Sequence, residues 1–253
     1  MPNFLSDGVE LAYLDQGEPA RDAVLLIHGF ASNLHVNWVD TGWVKTLTVA
    51  GYRVVAIDNR GHGASAKPHE VAAYGGPIMA EDARRLLDHL GLHKVHVVGY
   101  SMGARIAAFL ALSHPQKVRS LVFGGLGANM VRGMAGTGPI AHALEAESID
   151  QVANPTARTF RAFAEQTGSD LKALAACIRS SRDPISVADV GRLTCPVLVA
   201  VGEHDVIGGA APVLAELIPN AASFVIAGRD HMKAVGDRSF KDRVVAHLAS
   251  MTA

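Results

Sequence analysis

Two kinds of apolar segment alternate along the chain. One kind is a short, unbroken run of aliphatic and β-branched residues: AVLLIHG (23–29), YRVVAID (52–58), KVHVVGY (94–100), VRSLVFGG (118–125), PVLVAVG (196–202) and ASFVIAG (222–228), with VELAYLD (9–15) as an early edge strand. Runs that lack an in-and-out alternation suit strands covered on both faces, as in a parallel sheet clothed by helices. The other kind carries helical spacing, over roughly 36–50, 77–91, 102–114, 209–218 and 236–250. Strand and helix taking turns predict a doubly wound α/β domain.

The alternation stops between about 127 and 192. A glycine-rich opening there is followed by short helical patterns near 139–147, 155–167 and 169–182, with no strand-like run. The expected organisation is a core of 1–126 and 193–253, interrupted by a small helical cap at 127–192. Insertions over the C-terminal ends of parallel strands are where such sheets form pockets. Met130, Met134, Leu144, Phe160 and Phe163 are the cap's apolar candidates for a pocket wall, although helical spacing suits each of them equally to the cap's own core.

Composition narrows the function classes. The 253 residues are 49% hydrophobic and 19% charged with a formal net charge of −1, so the basic surplus of a nucleic-acid binder is missing. Twelve histidines show no H-E-x-x-H spacing, and no metal or organic cofactor is implied. Cys177 and Cys195 stand far apart, as reduced thiols in a reducing compartment would. The first residues lack a basic stretch followed by an apolar core, and no apolar run is long enough to span a bilayer, so a cytoplasmic protein without a membrane partner is expected. Nothing in these features speaks to oligomeric state.

The chemistry centres on Gly99-Tyr100-Ser101-Met102-Gly103, which joins a strand pattern to a helix pattern. A serine between two glycines at such a junction fits a nucleophile elbow, in which a strained turn holds the hydroxyl clear of the backbone. A serine hydroxyl is a weak nucleophile at neutral pH and needs a base, which needs an orienting acid. In the expected chain order the acid is Asp205, in Gly202-Glu203-His204-Asp205, and the base is His231; both follow the ends of strand patterns. Glu203 would serve as the acid in a longer turn, His204 breaks the order, and Asp230 adjoins His231 too closely to face it. Negative charge developing on a carbonyl oxygen needs backbone donors, expected from Met102 at the helix start and Phe30 in the IHGFASN loop. His28 is assigned to shaping that loop.

His28-Gly29-Phe30, Asp58-Asn59-Arg60-Gly61-His62-Gly63-Ala64-Ser65, the Ser101 elbow, Gly202 to Asp205 and His231 together resemble the α/β-hydrolase superfamily over nearly the whole chain outside the cap. The likeness is greatest to small cofactor-free serine hydrolases with one lid: enol-lactonases, carboxylesterases, non-haem haloperoxidase-like esterases and C–C bond hydrolases. The resemblance implies an eight-stranded, mostly parallel sheet with helices on both faces, a Ser101–His231–Asp205 triad, oxyanion donors at Phe30 and Met102, and a small-molecule ester or lactone substrate. C–C bond hydrolysis, perhydrolysis, acyl transfer and a non-catalytic receptor are the alternatives on the same fold. In this family the 58–65 stretch is a structural turn, so His62 is not expected to be catalytic. Haloalkane dehalogenases and epoxide hydrolases carry aspartate at the elbow, which sets Ser101 apart from them. The family commonly has Gly before the base, where this chain has Asp230.

Overall fold

The computed structural model describes residues 1–133, 137–180 and 184–251. The strands are β1 (Asn3–Ser6), β2 (Val9–Gln16), β3 (Ala23–Ile27), β4 (Arg53–Ile57), β5 (Val95–Tyr100), β6 (Val118–Gly124), β7 (Val197–Gly202) and β8 (Ala221–Ile226). They form one sheet in the order β1-β2-β4-β3-β5-β6-β7-β8. The β1–β2 and β2–β4 pairings are antiparallel and all others are parallel. β1 is absent from the sequence expectation because a four-residue strand carries almost no periodic signal. Its signal lies in the turn instead: Asp7 and Gly8 both take positive φ, the Asp-Gly pairing that closes a tight hairpin.

Strand alternation splits the interior into two cores. Leu25, Ile27, Val55 and Val97 face one side, and Val24, Leu26, Val54 and Val98 face the other. The first core is covered by α2 (Gly76–His89) and α3 (Met102–Ser113). The second is covered by α1 (Trp43–Val49) and α11 (Arg238–Ala249), with the rings of Trp43 and Phe240 packed edge to face at 5.0 Å. The stretch expected as one helix over 36–50 is broken. A π-helical turn at His35–Val39 is separated from α1 by Gly42 at φ 81°, a conformation that ends one element and starts the next. The helix expected at 209–218 is reduced to α9 (Ala211–Ala215).

Between β6 and β7 the described residues form α4 (Asn129–Arg132), α5 (Thr137–Glu145), α6 (Pro155–Gln166), α7 (Leu171–Arg179) and α8 (Val187–Val190). Asn154 and Asp170 cap α6 and α7, each accepting from a backbone N–H three residues on. The buried Arg161 of α6 donates to the carbonyls of Ala143, Leu144 and Ala146, locking the otherwise orphaned end of α5 onto α6. The last short helix, α10 (His231–Ala234), precedes α11 and has no counterpart in the sequence expectation.

Candidate active site

The strand order reverses at β3, which has β4 on one side and β5 on the other. Ligands of open parallel sheets bind outside the C-terminal ends of strands at such a point. The register pairs Ile27 with Gly99 and Tyr100 with Gly124, so the loops after β3, β5 and β6 leave the sheet side by side.

Ser101 sits between β5 and α3 at φ 54°, ψ −111°. That backbone is strained for a residue with a side chain. Both flanking glycines are required: a Cβ on Gly103 would collide with the Ile27 carbonyl, and one on Gly99 with the Gly103 carbonyl. Ala31, in the loop after β3, also takes positive φ, at 59°. Among the described residues only Asp7, in the β1–β2 turn, is a third such case outside glycine.

Three of the predicted residues form one continuous line. Ser101 Oγ lies 3.0 Å from His231 Nε2, and His231 Nδ1 lies 2.7 Å from Asp205 Oδ2. The carboxylate can only accept, so Nδ1 carries the proton and Nε2 faces the hydroxyl as an acceptor. Asp205 is fixed by its other oxygen, which accepts from the N–H groups of Ile207 and Gly208 at 2.8 Å each. His231 opens α10, and Asp230 is that helix's N-cap, accepting from Met232 and Lys233. The aspartate found where glycine is common is therefore turned into its own helix and away from the imidazole. Glu203 is likewise engaged elsewhere, accepting from Gly228 N–H at 2.8 Å.

The loop carrying Phe30 is held by buried polar groups. His28 Nδ1 is 2.8 Å from the Gly29 carbonyl, and its Nε2 accepts from Asn59 N–H at 3.0 Å. Burial pulls its pKa below the ordinary imidazole value, suiting a neutral strut. Asp58 receives the N–H groups of Leu34 and Ala64, as a structural turn requires. Phe30 lines the cavity beside Ser101, and Met102 N–H belongs to the first turn of α3, at the positive end of the helix.

That cavity, of about 160 Å³, is bounded by Gly29, Phe30, Val36, Asn37, Phe160 and Phe163 together with Ser101, His231, Met232 and Val235. Phe160 and Phe163 thus reach it from α6, whereas Met130 and Leu144 are buried in the core. Met134 lies outside the described residues. Sequence reasoning missed the wall formed by Val36, Asn37 and Thr41, because the π-turn was hidden in a helix-like pattern. It also missed Tyr100, whose hydroxyl donates to the His231 carbonyl at 2.6 Å and so fixes the histidine's backbone. Burial, then the charges of Asp205 and Asp230, push the Tyr100 pKa up and keep it a donor.

Comparison with known proteins agrees with this fold. The alpha/beta hydrolase fold family matches residues 22–136. Over 98% of this chain and 97% of its own, a hydrolase from Pseudomonas aeruginosa PA01 superposes with a TM-score of 0.81 at 26% identity. The chain has the α/β-hydrolase fold. A second structure, Est816, described as an N-acyl homoserine lactone degrading enzyme, superposes with a TM-score of 0.76 at 25% identity, covering 97% of this chain and 99% of that one. A putative 2-succinyl-6-hydroxy-2,4-cyclohexadiene-1-carboxylate synthase from Bacillus subtilis is 35% identical over 118 residues, which are 47% of this chain and 41% of that protein. The matched stretch spans well under half the length of the first curated relatives. No helix among the described residues is long and apolar enough to cross a membrane.

Proposed function

We propose that this α/β hydrolase cleaves a carboxylic ester or lactone of a small molecule through an acyl-enzyme, with Ser101 as nucleophile, His231 as base and Asp205 as its orienting acid. The observation that carries the reading is the unbroken line from Ser101 Oγ through His231 to a carboxylate pinned by two backbone N–H groups.

The steps follow from that line. His231 Nε2 takes the hydroxyl proton as Ser101 Oγ bonds to the carbonyl carbon. The carbonyl electron pair moves onto oxygen, where the N–H groups of Phe30 and Met102 receive it. Asp205 stabilises the imidazolium. Collapse breaks the C–O bond, and the alcohol leaves with the proton from Nε2; in a lactone it stays tethered to the acyl chain. Water then repeats the sequence, losing its proton to Nε2, and Ser101 is restored.

Residues 127–192 are proposed to act as the cap, supported by Phe160 and Phe163 at the cavity wall. The lactone-degrading neighbour and the small cavity support a compact substrate. Fluorophosphonate treatment followed by intact mass and peptide mapping tests the reading: one adduct on Ser101 is expected, lost in Ser101→Ala. A folded protein that takes no adduct would favour a non-catalytic receptor. Comparing ester, lactone and diketone turnover distinguishes hydrolysis of C–O from C–C bonds, and added peroxide or acceptor alcohol reveals perhydrolysis or acyl transfer.

A further inference from the structure

The segment proposed as the cap touches the loop after β3 at two points along α6. The ring of Phe160 packs edge to face on the ring of Phe30 at 5.9 Å. Two helical turns later Thr167 ends α6, and its Oγ1 lies 3.0 Å from the Ala31 carbonyl. Thr167 is half-buried, and Ala31 is completely buried.

The threonine hydroxyl has one proton and two carbonyls in reach, that of Ala31 and, at 3.1 Å, that of Ala164. The Ala164 carbonyl is already met by Ser169 N–H at 2.9 Å, in the capping bond that closes the helix. No other described residue donates to the Ala31 carbonyl. A buried carbonyl left bare is costly, so the proton goes to Ala31. Ser169 Oγ, 2.8 Å from Thr167 Oγ1, then donates to it.

The bond falls on a strained residue. Ser32 N–H donates to the Gly29 carbonyl at 3.3 Å, closing a four-residue turn whose third residue is Ala31 at φ 59°. Glycine ordinarily takes that place, and a residue with a side chain stays there only where its surroundings hold it. Across a trans peptide the C=O and the N–H point opposite ways. Two peptide planes therefore stand in series. The Thr167 hydroxyl meets the Ala31 carbonyl, Ser32 N–H meets the Gly29 carbonyl, and the far edge of the Gly29 peptide is the Phe30 N–H. From the core side, Gly29 is held by His28 Nδ1 on its carbonyl at 2.8 Å and by Asn37 Oδ1 on its N–H at 3.2 Å. From the α6 side, the Thr167 hydroxyl completes the frame.

We propose that Thr167 is a positioning residue for the oxyanion hole: its hydroxyl holds Ala31 in the left-handed turn and, through the Ser32–Gly29 bond, aims the Phe30 N–H. The role in turnover rests on the hydrolase reading above; the hold on the loop does not.

Two measurements test it. The first is steady-state hydrolysis of p-nitrophenyl acetate by wild type, Thr167→Val and Thr167→Ser. Valine keeps the shape without the hydroxyl, and serine keeps the hydroxyl. Acylation and deacylation both pass through an oxyanion, so kcat carries the effect whichever step limits. Removing a donor outright costs about 10²–10³ in kcat; here the donor and the His28 bond remain, so Thr167→Val is expected to lose about five- to thirtyfold in kcat with KM within about twofold. Thr167→Ser is expected to stay within about threefold of wild type. The second measurement follows the Ser32 and Phe30 amide protons in ¹⁵N-labelled protein. Both are expected to move upfield in Thr167→Val, as the polarisation along the chain is lost, and to stay in place in Thr167→Ser. Amide signals that ignore the loss of the hydroxyl overturn the proposal. So does a Thr167→Val kcat within about twofold of wild type, or a Thr167→Ser loss as large as that of Thr167→Val, which would assign the effect to shape. Wild type that hydrolyses no ester while both amides respond supports the hold on the loop and breaks the hydrolase reading.

Discussion

Strand β5 leads to one serine–histidine pair at its C-terminal end and holds another near its start, and the two behave differently. Ser101 and His231 stand 3.0 Å apart beside a cavity, with a strained backbone under the serine and a carboxylate behind the imidazole. His96 and Ser120, on β5 and β6, are closer still at 2.7 Å and fully buried. Neither backbone there has a positive φ, and His96 Nε2 has no hydrogen-bond partner among the described residues, a carboxylate included. Burial, reinforced by the Arg119 charge, holds the His96 pKa at about 4. Under the proposed mechanism, two identical residue types at hydrogen-bond distance make a nucleophile–base pair only where solvent access, strain and an orienting acid coincide.

The largest effect that would break this contrast is catalytic. Asp205→Asn keeps the shape but offers His231 an amide, whose NH₂ can force the proton onto the wrong nitrogen. Ester turnover is expected to fall by about 10³- to 10⁴-fold. Ser120→Ala, which removes the hydroxyl of the closer pair, is expected to leave turnover within about twofold of wild type and to lower stability by roughly 1 kcal/mol. Steady-state kinetics on an activated ester, with urea unfolding alongside, measures both. Comparable losses of turnover in the two variants would mean that the pairs are not functionally distinct.

The elbow differs from the buried pair in backbone as well. Gly103→Ala would drive a methyl group into the Ile27 carbonyl and separate α3 from β3. A loss of about 3 kcal/mol or more is expected in urea unfolding, with turnover lost in whatever protein folds. A Gly91→Ala variant sharpens the comparison. Gly91 has positive φ, at 65°, which the helical Gly103 does not, and no heavy atom lies within 4 Å of its would-be Cβ. It is expected to lose only the left-handed backbone's cost of about 1–2 kcal/mol. A loss at Gly103 no larger than that at Gly91 would show that close packing does not make Gly103 necessary.

How much of this was legible in the sequence follows from the same distinction. The buried runs that became β3 to β7 announce themselves, because strands covered on both faces are mostly apolar, and a polar residue there, such as His96 or Ser120, must find a partner. The three residues of the proposed triad, which the structure brings together, were picked out by chain order at strand ends, a topological regularity that survives without side-chain coordinates. Asn37, Tyr100 and the π-turn were not found, since their roles depend on which atoms are left over after packing. The cap's apolar residues show the limit from the other side: Phe160 and Leu144 read alike in helical spacing, yet one borders the cavity and the other fills the core.

A change confined to mildly acid pH tests the buried pair directly through acid stability. His96 and His247 both have pKa values pulled down from 6.5 to about 4, chiefly by burial. Around His96 the charges of Arg119 and His247 act in the same direction and Asp22 opposes them; around His247 Arg243 lowers the value and a bond to the Leu121 backbone raises it. Between these limits the unfolded chain binds the protons that the folded chain refuses, so the histidine contribution to stability falls as pH drops from about 6.5 to about 4 and levels off below. For His96 the loss is about 1–3 kcal/mol once some solvent screening is allowed. The window is set by imidazoles: the lowered carboxylate of Asp237, at about 2, titrates below it. Urea midpoints across this range, for wild type and for His96→Asn, provide the test. Asn can still reach the Ser120 hydroxyl but cannot take up a proton, so its curve is expected to be the shallower one. Parallel curves would mean that His96 accepts its proton in place, and that the enclosed pair is wetter and closer in kind to the one at Ser101 than its burial implies.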